Sequence, residues 1–311
     1  MVTTRYDDFS ELSEKWSIQK FLEGGEASVE NGLLVLSVNN TGEGVVAVET
    51  RKSDWGTGIY RIKARYISQS NLTTAIQFTL KDTPQSYTPD NMTIIKIFPG
   101  TGIVANVRVN GSWQGQQNLA SEQANTWYIL EFEVTESSII ARVYDENGSL
   151  LGSYEFSATP FGTPPKFVID IRMGSPPGGG SGQSEVDYIE VEDTYLPTFA
   201  IDRVENSTIY VKNLSSYSGM VKVVVKDQSD NVVESQTALL SGGETRSFTF
   251  SLGSGTYTVE VHNLEKNTID ATQQITIGYA VDIQQMIQIF LQLLPFIMLI
   301  LIISILVAVI R

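Results

Sequence analysis

The sequence predicts an all-β protein built as two antiparallel sandwiches, a large one followed by a smaller one, with a single apolar helix at the C-terminus. Three observations carry this. Short runs rich in β-branched and aromatic residues recur along nearly the whole chain, separated by Gly, Asn, Asp and Ser clusters. Several runs alternate apolar and polar types with period two, as in Gly58-Ile59-Tyr60-Arg61-Ile62-Lys63-Ala64-Arg65-Tyr66, so one face meets a core and the other meets water. The stretch from Ile289 to Ile310 instead reads IFLQLLPFIMLILIISILVAVI, interrupted only by Gln292, Pro295 and Ser304.

The chain of 311 residues is long enough for two domains. Predicted boundaries place a large sandwich at 1–195, a smaller one at 196–278, and a juxtamembrane and membrane-spanning helix at 279–311. With Lys and Arg totalling 21 against 35 Asp and Glu, the net charge is -14. A field of that sign repels phosphate backbones, so no nucleic-acid partner is expected. Cysteine is absent, so disulfides contribute nothing and stability must come from sheet packing and hydrogen bonds. That composition leans toward an archaeal, prokaryotic or viral source. The opening Met1-Val2-Thr3-Thr4-Arg5-Tyr6 shows no apolar signal region.

In the large unit, strands are expected at 33–38, 43–50, 58–67, 74–80, 92–98, 102–109, 127–134, 138–144, 150–156, 166–173 and 186–192, enough for a two-sheet jelly roll. Asp145-Glu146-Asn147-Gly148 is the clearest hairpin turn. Ser175-Pro176-Pro177-Gly178-Gly179-Gly180-Ser181-Gly182 is expected to be a mobile surface loop. The entry segment Asp7-Asp8-Phe9 with Trp16, the run Ala27 to Leu36, the strand Gly58 to Arg65, the Trp127-to-Tyr144 hairpin and the closing Val186-Asp187-Tyr188-Ile189-Glu190-Val191 together resemble a concanavalin A-like lectin/glucanase domain over residues 6–193. That resemblance implies a fold shared by lectins, hydrolases and inert modules.

Residues 198–277 carry seven further β-prone runs, near 199–204, 207–212, 219–226, 231–238, 244–250, 255–262 and 269–277, which suit an immunoglobulin-like sandwich acting as a spacer. The Gly243-Glu244-Thr245 turn and the run Ser254-Gly255-Thr256-Tyr257-Thr258-Val259 resemble such modules of bacterial and archaeal surface proteins. His262 has neither cysteine nor a second histidine to help it ligate a metal.

As a helix, the apolar stretch would measure about 33 Å, matching a bilayer core of about 30 Å. The expected partner is therefore a lipid bilayer, with the C-terminus inside and the sandwiches outside, at a cell surface or virion envelope. Gln285, Gln288 and Gln292 share one helical stripe and are candidates for a seam between copies, a homo-oligomer, because amides buried in lipid seek partners across helices.

Acceptor triplets Asn-x-Ser/Thr occur at Asn39, Asn71, Asn91, Asn110, Asn147, Asn206 and Asn213, which favours a glycoprotein. Loop aromatics Trp55, Tyr87 and Trp113 are candidate carbohydrate contacts, since an exposed ring can stack on a sugar; Trp16 and Trp127 are expected in the core. Glu185, Asp187 and Glu190 have a spacing like the catalytic acids of glucanases with this fold, but they occupy the closing strand, where the family has a noncatalytic strand, and Glu190 would face the other way unless a bulge intervened. No enzymatic activity is expected on that ground. No cofactor is implied; a structural calcium near Asp7, Asp8 and Asp187 is the one metal to consider. The function expected is a membrane-anchored structural or adhesive surface glycoprotein with glycan recognition by the distal unit. The competing functions are a membrane-tethered glycoside hydrolase and an oligomeric membrane-remodelling protein.

Overall fold

The computed structural model describes residues 3–22, 24–70, 74–157, 160–192, 196–278 and 283–310. The first sandwich contains β1 (Thr3–Asp7), β2 (Trp16–Leu22), β3 (Gly25–Glu30), β4 (Leu33–Asn40), β5 (Gly44–Thr50), β6 (Gly58–Ser70), β7 (Thr74–Lys81) and β8 (Met92–Phe98). It continues with β9 (Gly102–Val109), β10 (Ser112–Trp113), β11 (Gln117–Ala120), β12 (Tyr128–Val134), β13 (Ile139–Asp145), β14 (Leu150–Phe156), β15 (Val168–Ser175) and β16 (Gly180–Glu192). These form two eight-stranded antiparallel sheets. The first has the order β14-β13-β12-β6-β16-β4-β3, with β1 also on β16; the second has the order β10-β9-β8-β7-β15-β5-β2, with β11 also on β9.

The sandwich is a jelly roll, as the strand count predicts. Period-two alternation turns Tyr60, Ile62, Ala64 and Tyr66 of β6 inward against residues such as Phe78 and Ile171 of the second sheet, in one continuous core. β1 and β2 fall outside the runs expected as strands, while β3 lies mostly within the Ala27-to-Leu36 stretch that resembles the family's entry strands. The glycine-rich segment is partly ordered too: Gly180, Ser181 and Gly182 pair with Asn40, Asn39 and Val38 and begin β16 rather than forming a loop.

A second core belongs to β17 (Phe199–Glu205), β18 (Thr208–Asn213), β19 (Gly219–Lys226), β20 (Val232–Leu240), β21 (Thr245–Thr249), β22 (Gly255–Asn263) and β23 (Thr268–Ile277). They make a three-stranded sheet, β17-β18-β21, facing a four-stranded one, β20-β19-β22-β23, around residues such as Val211, Val223, Phe248 and Val261. The two sandwiches meet through polar groups. Lys52, fully buried, pairs with Asp54 and donates to the Ser218 carbonyl at 2.7 Å, while the Ser218 amide donates to Asp54 at 2.6 Å. Lys15 of the first sandwich also donates to Asn267 of the second at 3.4 Å, and within the second buried Glu265 accepts from the Met220 amide at 2.9 Å.

The C-terminal helix α1 (Ile283–Ile310) follows. Among the described residues no helix is long and apolar enough to cross a membrane. The predicted membrane span is therefore withdrawn, and with it the lipid bilayer as partner, the anchored surface function, and the placement at an archaeal or prokaryotic envelope or a virion. Gln288 and Gln292 are exposed on α1, and the Gln285 side chain lies outside the described residues, so a seam buried in lipid loses its premise.

Candidate functional site

The three candidate rings have different fates. Trp55 is fully buried: it stands edge-on to Tyr6 and Tyr60, donates through Nε1 to Thr50 Oγ1 at 3.2 Å, and bridges to Phe167, so no face remains for a sugar. Trp113 is 48% exposed on β10, with the Arg108 guanidinium 5.9 Å from its ring. Tyr87 is 38% exposed in the loop 82–91, stacked 5.6 Å from Phe21 of β2. Arg108 also donates to the Pro89 carbonyl at 3.1 Å, so Trp113 borders the far end of the loop that carries Tyr87, while Tyr87 itself meets Phe21 on the opposite edge strand. The structure does not bring these rings together. Trp127, expected in the core, instead lies half-buried on the outer side of the first sheet, against Arg65 at 4.4 Å and Lys63 at 5.1 Å.

Beside Tyr87 a groove of about 600 Å³ opens along the seam where edge strand β2 of the second sheet turns into edge strand β3 of the first. Phe21 forms an aromatic wall, and Lys20, Glu26, Ser37 and Asn39 supply polar groups. Gly25 makes the turn possible, since a Cβ there would sit 2.7 Å from Val46 Cβ. The Tyr87 hydroxyl donates to Glu43 at 3.4 Å, on the segment that follows Asn39. Burial, reinforced by the Glu43 carboxylate, raises the Tyr87 phenol above its ordinary pKa, so it stays a neutral donor.

Loop 82–91 is held over the outer side of the second sheet by buried charges. Lys81 lies 2.5 Å from Glu49 and 2.8 Å from Asp170, and Arg172 lies 2.7 Å from Asp170. Asp170 Oδ2 meets Lys81 as a charge partner only, off the angle of a hydrogen bond. The cluster then grips the loop backbone: Arg172 donates to the Tyr87 carbonyl at 2.8 Å and the Ser86 carbonyl at 3.2 Å, and Glu49 accepts from the Gln85 amide at 3.0 Å. Tyr87 is thus placed by main-chain contacts on both sides.

The three acids of the closing strand come together against expectation. The register of β16 shifts between Val186 and Tyr188, and this bulge turns Glu185, Asp187 and Glu190 toward the cations of β6. Glu185 pairs with Arg65 at 2.7 Å, Asp187 with Lys63 at 3.1 Å, and Glu190 with Arg5 at 3.3 Å and Arg61 at 4.0 Å. Every one of these carboxylates has a cationic partner, so the row works first as a cross-strand ladder.

The acceptor asparagines also divide. Asn39, Asn110, Asn147 and Asn206 are exposed, while Asn71 lies outside the described residues. Asn91 donates its amide to Asp82 at 2.8 Å, and Asn213 is fully buried, donating to the Tyr217 carbonyl at 2.7 Å and the Leu240 carbonyl at 3.3 Å. Asp7, proposed near a calcium, faces donors: the Phe9 amide at 2.8 Å, Ser13 Oγ at 3.0 Å, the Trp16 indole at 2.7 Å and the Lys15 ammonium at 3.4 Å. A carboxylate so surrounded is poorly suited to a cation. Among the described residues no group of three or more His, Cys, Asp or Glu is placed to hold a metal.

Sequence reasoning missed Lys20, Phe21 and Glu26 because β2 and the start of β3 fall outside the expected strands, and it missed Ser37 because nothing local shows that its strand, expected at 33–38, borders a groove. The Gly24-Gly25 pair between two half-apolar runs was the available signal.

No family model matches the chain, and no curated protein matches it in sequence. Solved structures do. A peanut lectin with a nonapeptide is 12% identical, with 61% of this chain and 96% of that one covered and a TM-score of 0.46. A β-glucanase of Bacillus licheniformis is 17% identical, with coverages of 60% and 95% and a TM-score of 0.44. Lectin II from Ulex europaeus is 10% identical, with coverages of 61% and 97% and a TM-score of 0.45. At these identities the likeness concerns the fold alone. The expectation that the chain is not an enzyme is withdrawn, because the bulge in β16 brings Glu185, Asp187 and Glu190 to one side of the strand and removes the ground on which it stood.

Proposed function

We propose that the chain is a glycan-binding protein whose larger sandwich takes a saccharide in the groove between β2 and β3. The smaller sandwich serves as an immunoglobulin-like spacer in this reading. One observation carries it: an aromatic pair, Phe21 and Tyr87, adjoins a groove of about 600 Å³ otherwise lined by Lys20, Glu26, Ser37 and Asn39. Small-molecule sites span roughly 300–1,000 Å³ and combine an apolar wall with a few polar groups that fix orientation. A sugar needs that combination, with C–H faces against a ring and hydroxyls against mixed donors and acceptors.

A glycan array followed by calorimetry on the best binder tests the reading. Phe21→Ala and Tyr87→Ala are each expected to weaken binding about tenfold or more, a loss of about 1.4 kcal/mol, whereas Trp113→Ala leaves it unchanged. Loss with Trp113→Ala alone would move the site to the far edge of the sheet, and absence of binding across a broad array would end the proposal.

A second reading, glycoside hydrolysis, is favoured by the bulge that gathers Glu185, Asp187 and Glu190. Turnover of a polymeric glucan, abolished by Glu185→Gln, would establish it; an inactive protein across a panel of glucans leaves the row as a structural ladder. Association of copies, also expected from the sequence, is read directly by sedimentation.

A further inference from the structure

We propose that an oligosaccharide attached to Asn39 of this same chain occupies the groove and regulates its access to free glycans; the inference rests on reading that groove as a saccharide site. Asn39 is exposed near the end of β4 and is followed by Asn40 and Thr41, the acceptor triplet. It is also one of the residues lining the groove, together with Phe21 and Ser37. The other acceptors with described side chains differ. Asn213 is buried with its amide engaged, Asn91 spends its amide on Asp82, and Asn110, Asn147 and Asn206 do not line the groove.

Attachment is an ordinary group transfer. A lipid-linked oligosaccharyl phosphate is the donor, and a bond forms between Asn39 Nδ2 and the anomeric carbon. The bond from that carbon to the phosphate oxygen breaks, the lipid phosphate leaves, and the amide gives up one proton.

A tether changes the arithmetic of binding. A ligand held on a short flexible linker reaches an effective concentration in the millimolar range, so an intrinsic dissociation constant of about 0.1 mM fills the groove for about nine-tenths of the time. A free glycan then sees only the unfilled fraction, and its apparent affinity falls in proportion. The unmodified groove is a receptor; the modified one is largely closed to free ligand.

The test uses the full chain made in a host with N-glycosylation, alongside Thr41→Val, which removes the acceptor signal but keeps Asn39 in the groove. Glycopeptide mapping is expected to find the modification at Asn39. Hydrogen exchange of 20–26 is expected to be slower in the modified protein than in Thr41→Val, and the variant to bind free glycan about tenfold more tightly. An unmodified Asn39 overturns the inference and leaves the glycan-binding reading standing. Modification with equal exchange and equal affinity in the two proteins also overturns it. Slower exchange when neither protein binds any free glycan supports the tethered occupant and instead overturns the reading of the groove as a receptor.

Discussion

Asn213 carries an acceptor triplet, yet its side chain holds the second sandwich together. Its amide donates to Tyr217 and Leu240 carbonyls, and its Oδ1 accepts from the Ser215 amide at 3.0 Å and the Ser215 hydroxyl at 2.9 Å. Asn213→Ala would strand buried partners, and a loss of about 2–4 kcal/mol in urea denaturation is expected. A glycopeptide map should show no sugar there. Trp55 makes the same point for aromatics. The residues around it, Lys52-Ser53-Asp54 and Gly56, read as a loop, but a bridge to Phe167 draws the indole into the core, so Trp55→Ala is expected to cost about 3–5 kcal/mol through the cavity it leaves. Residue type therefore located rings and acceptors in the sequence without revealing which of them face water.

At the scale of elements, two irregularities decide the surfaces. The bulge in β16 reverses the side on which Glu190 emerges, and nothing in the order Val186-Asp187-Tyr188-Ile189 announces it. All seven residues of β5 are buried because loop 82–91 covers the outer side that alternation would leave wet. Under that loop Lys81 is fully buried between Glu49 and Asp170. Removing one partner of a buried ion pair leaves an uncompensated charge, so Lys81→Met is expected to destabilise by about 3–5 kcal/mol. Amide exchange at 85–87 should quicken in the same variant, because Glu49 then loses the charge that holds it against the Gln85 amide. Unchanged exchange would mean the loop is held by its rim alone. The main strands, with their long alternating runs, were legible. β2 was not, since a register shift between Lys20 and Leu22 breaks its period of two; β3 keeps the period, but its inward Ala27 and Val29 are only half-buried and give a weak apolar signal.

For the whole molecule, the boundary between the sandwiches is polar, with Lys52 and Glu265 fully buried there. Burial raises the Glu265 carboxyl above the ordinary glutamate value, against the lowering pull of Tyr6, the Met220 amide, Lys15 and Lys52. An acid whose folded pKa exceeds its unfolded one binds its proton better when folded. Its contribution is fully present below the unfolded value and is lost as pH rises through the folded value. Thermal melting as a function of pH is therefore expected to show Glu265→Gln flattening the decline that begins above the ordinary glutamate pKa. A parallel pair of curves would show that Glu265 does not carry the dependence. Asp54 runs the other way. Burial raises it, but Lys52 and Ser218 outweigh that and hold it low, so its stabilisation is present above the ordinary aspartate value and is lost as pH falls through its lowered one.

The sequence by itself determined that the chain is built of β-strands, where most of them run, and that two separate apolar cores would form, because strand periodicity and turn chemistry are local properties of neighbouring residues. Tertiary structure alone decided which side of each sheet is covered, which acids share a face, which asparagines remain open, and that a groove lies between β2 and β3. Those outcomes depend on bulges, on a loop crossing a sheet and on two sheet edges meeting, contacts between residues far apart in sequence that no local pattern encodes.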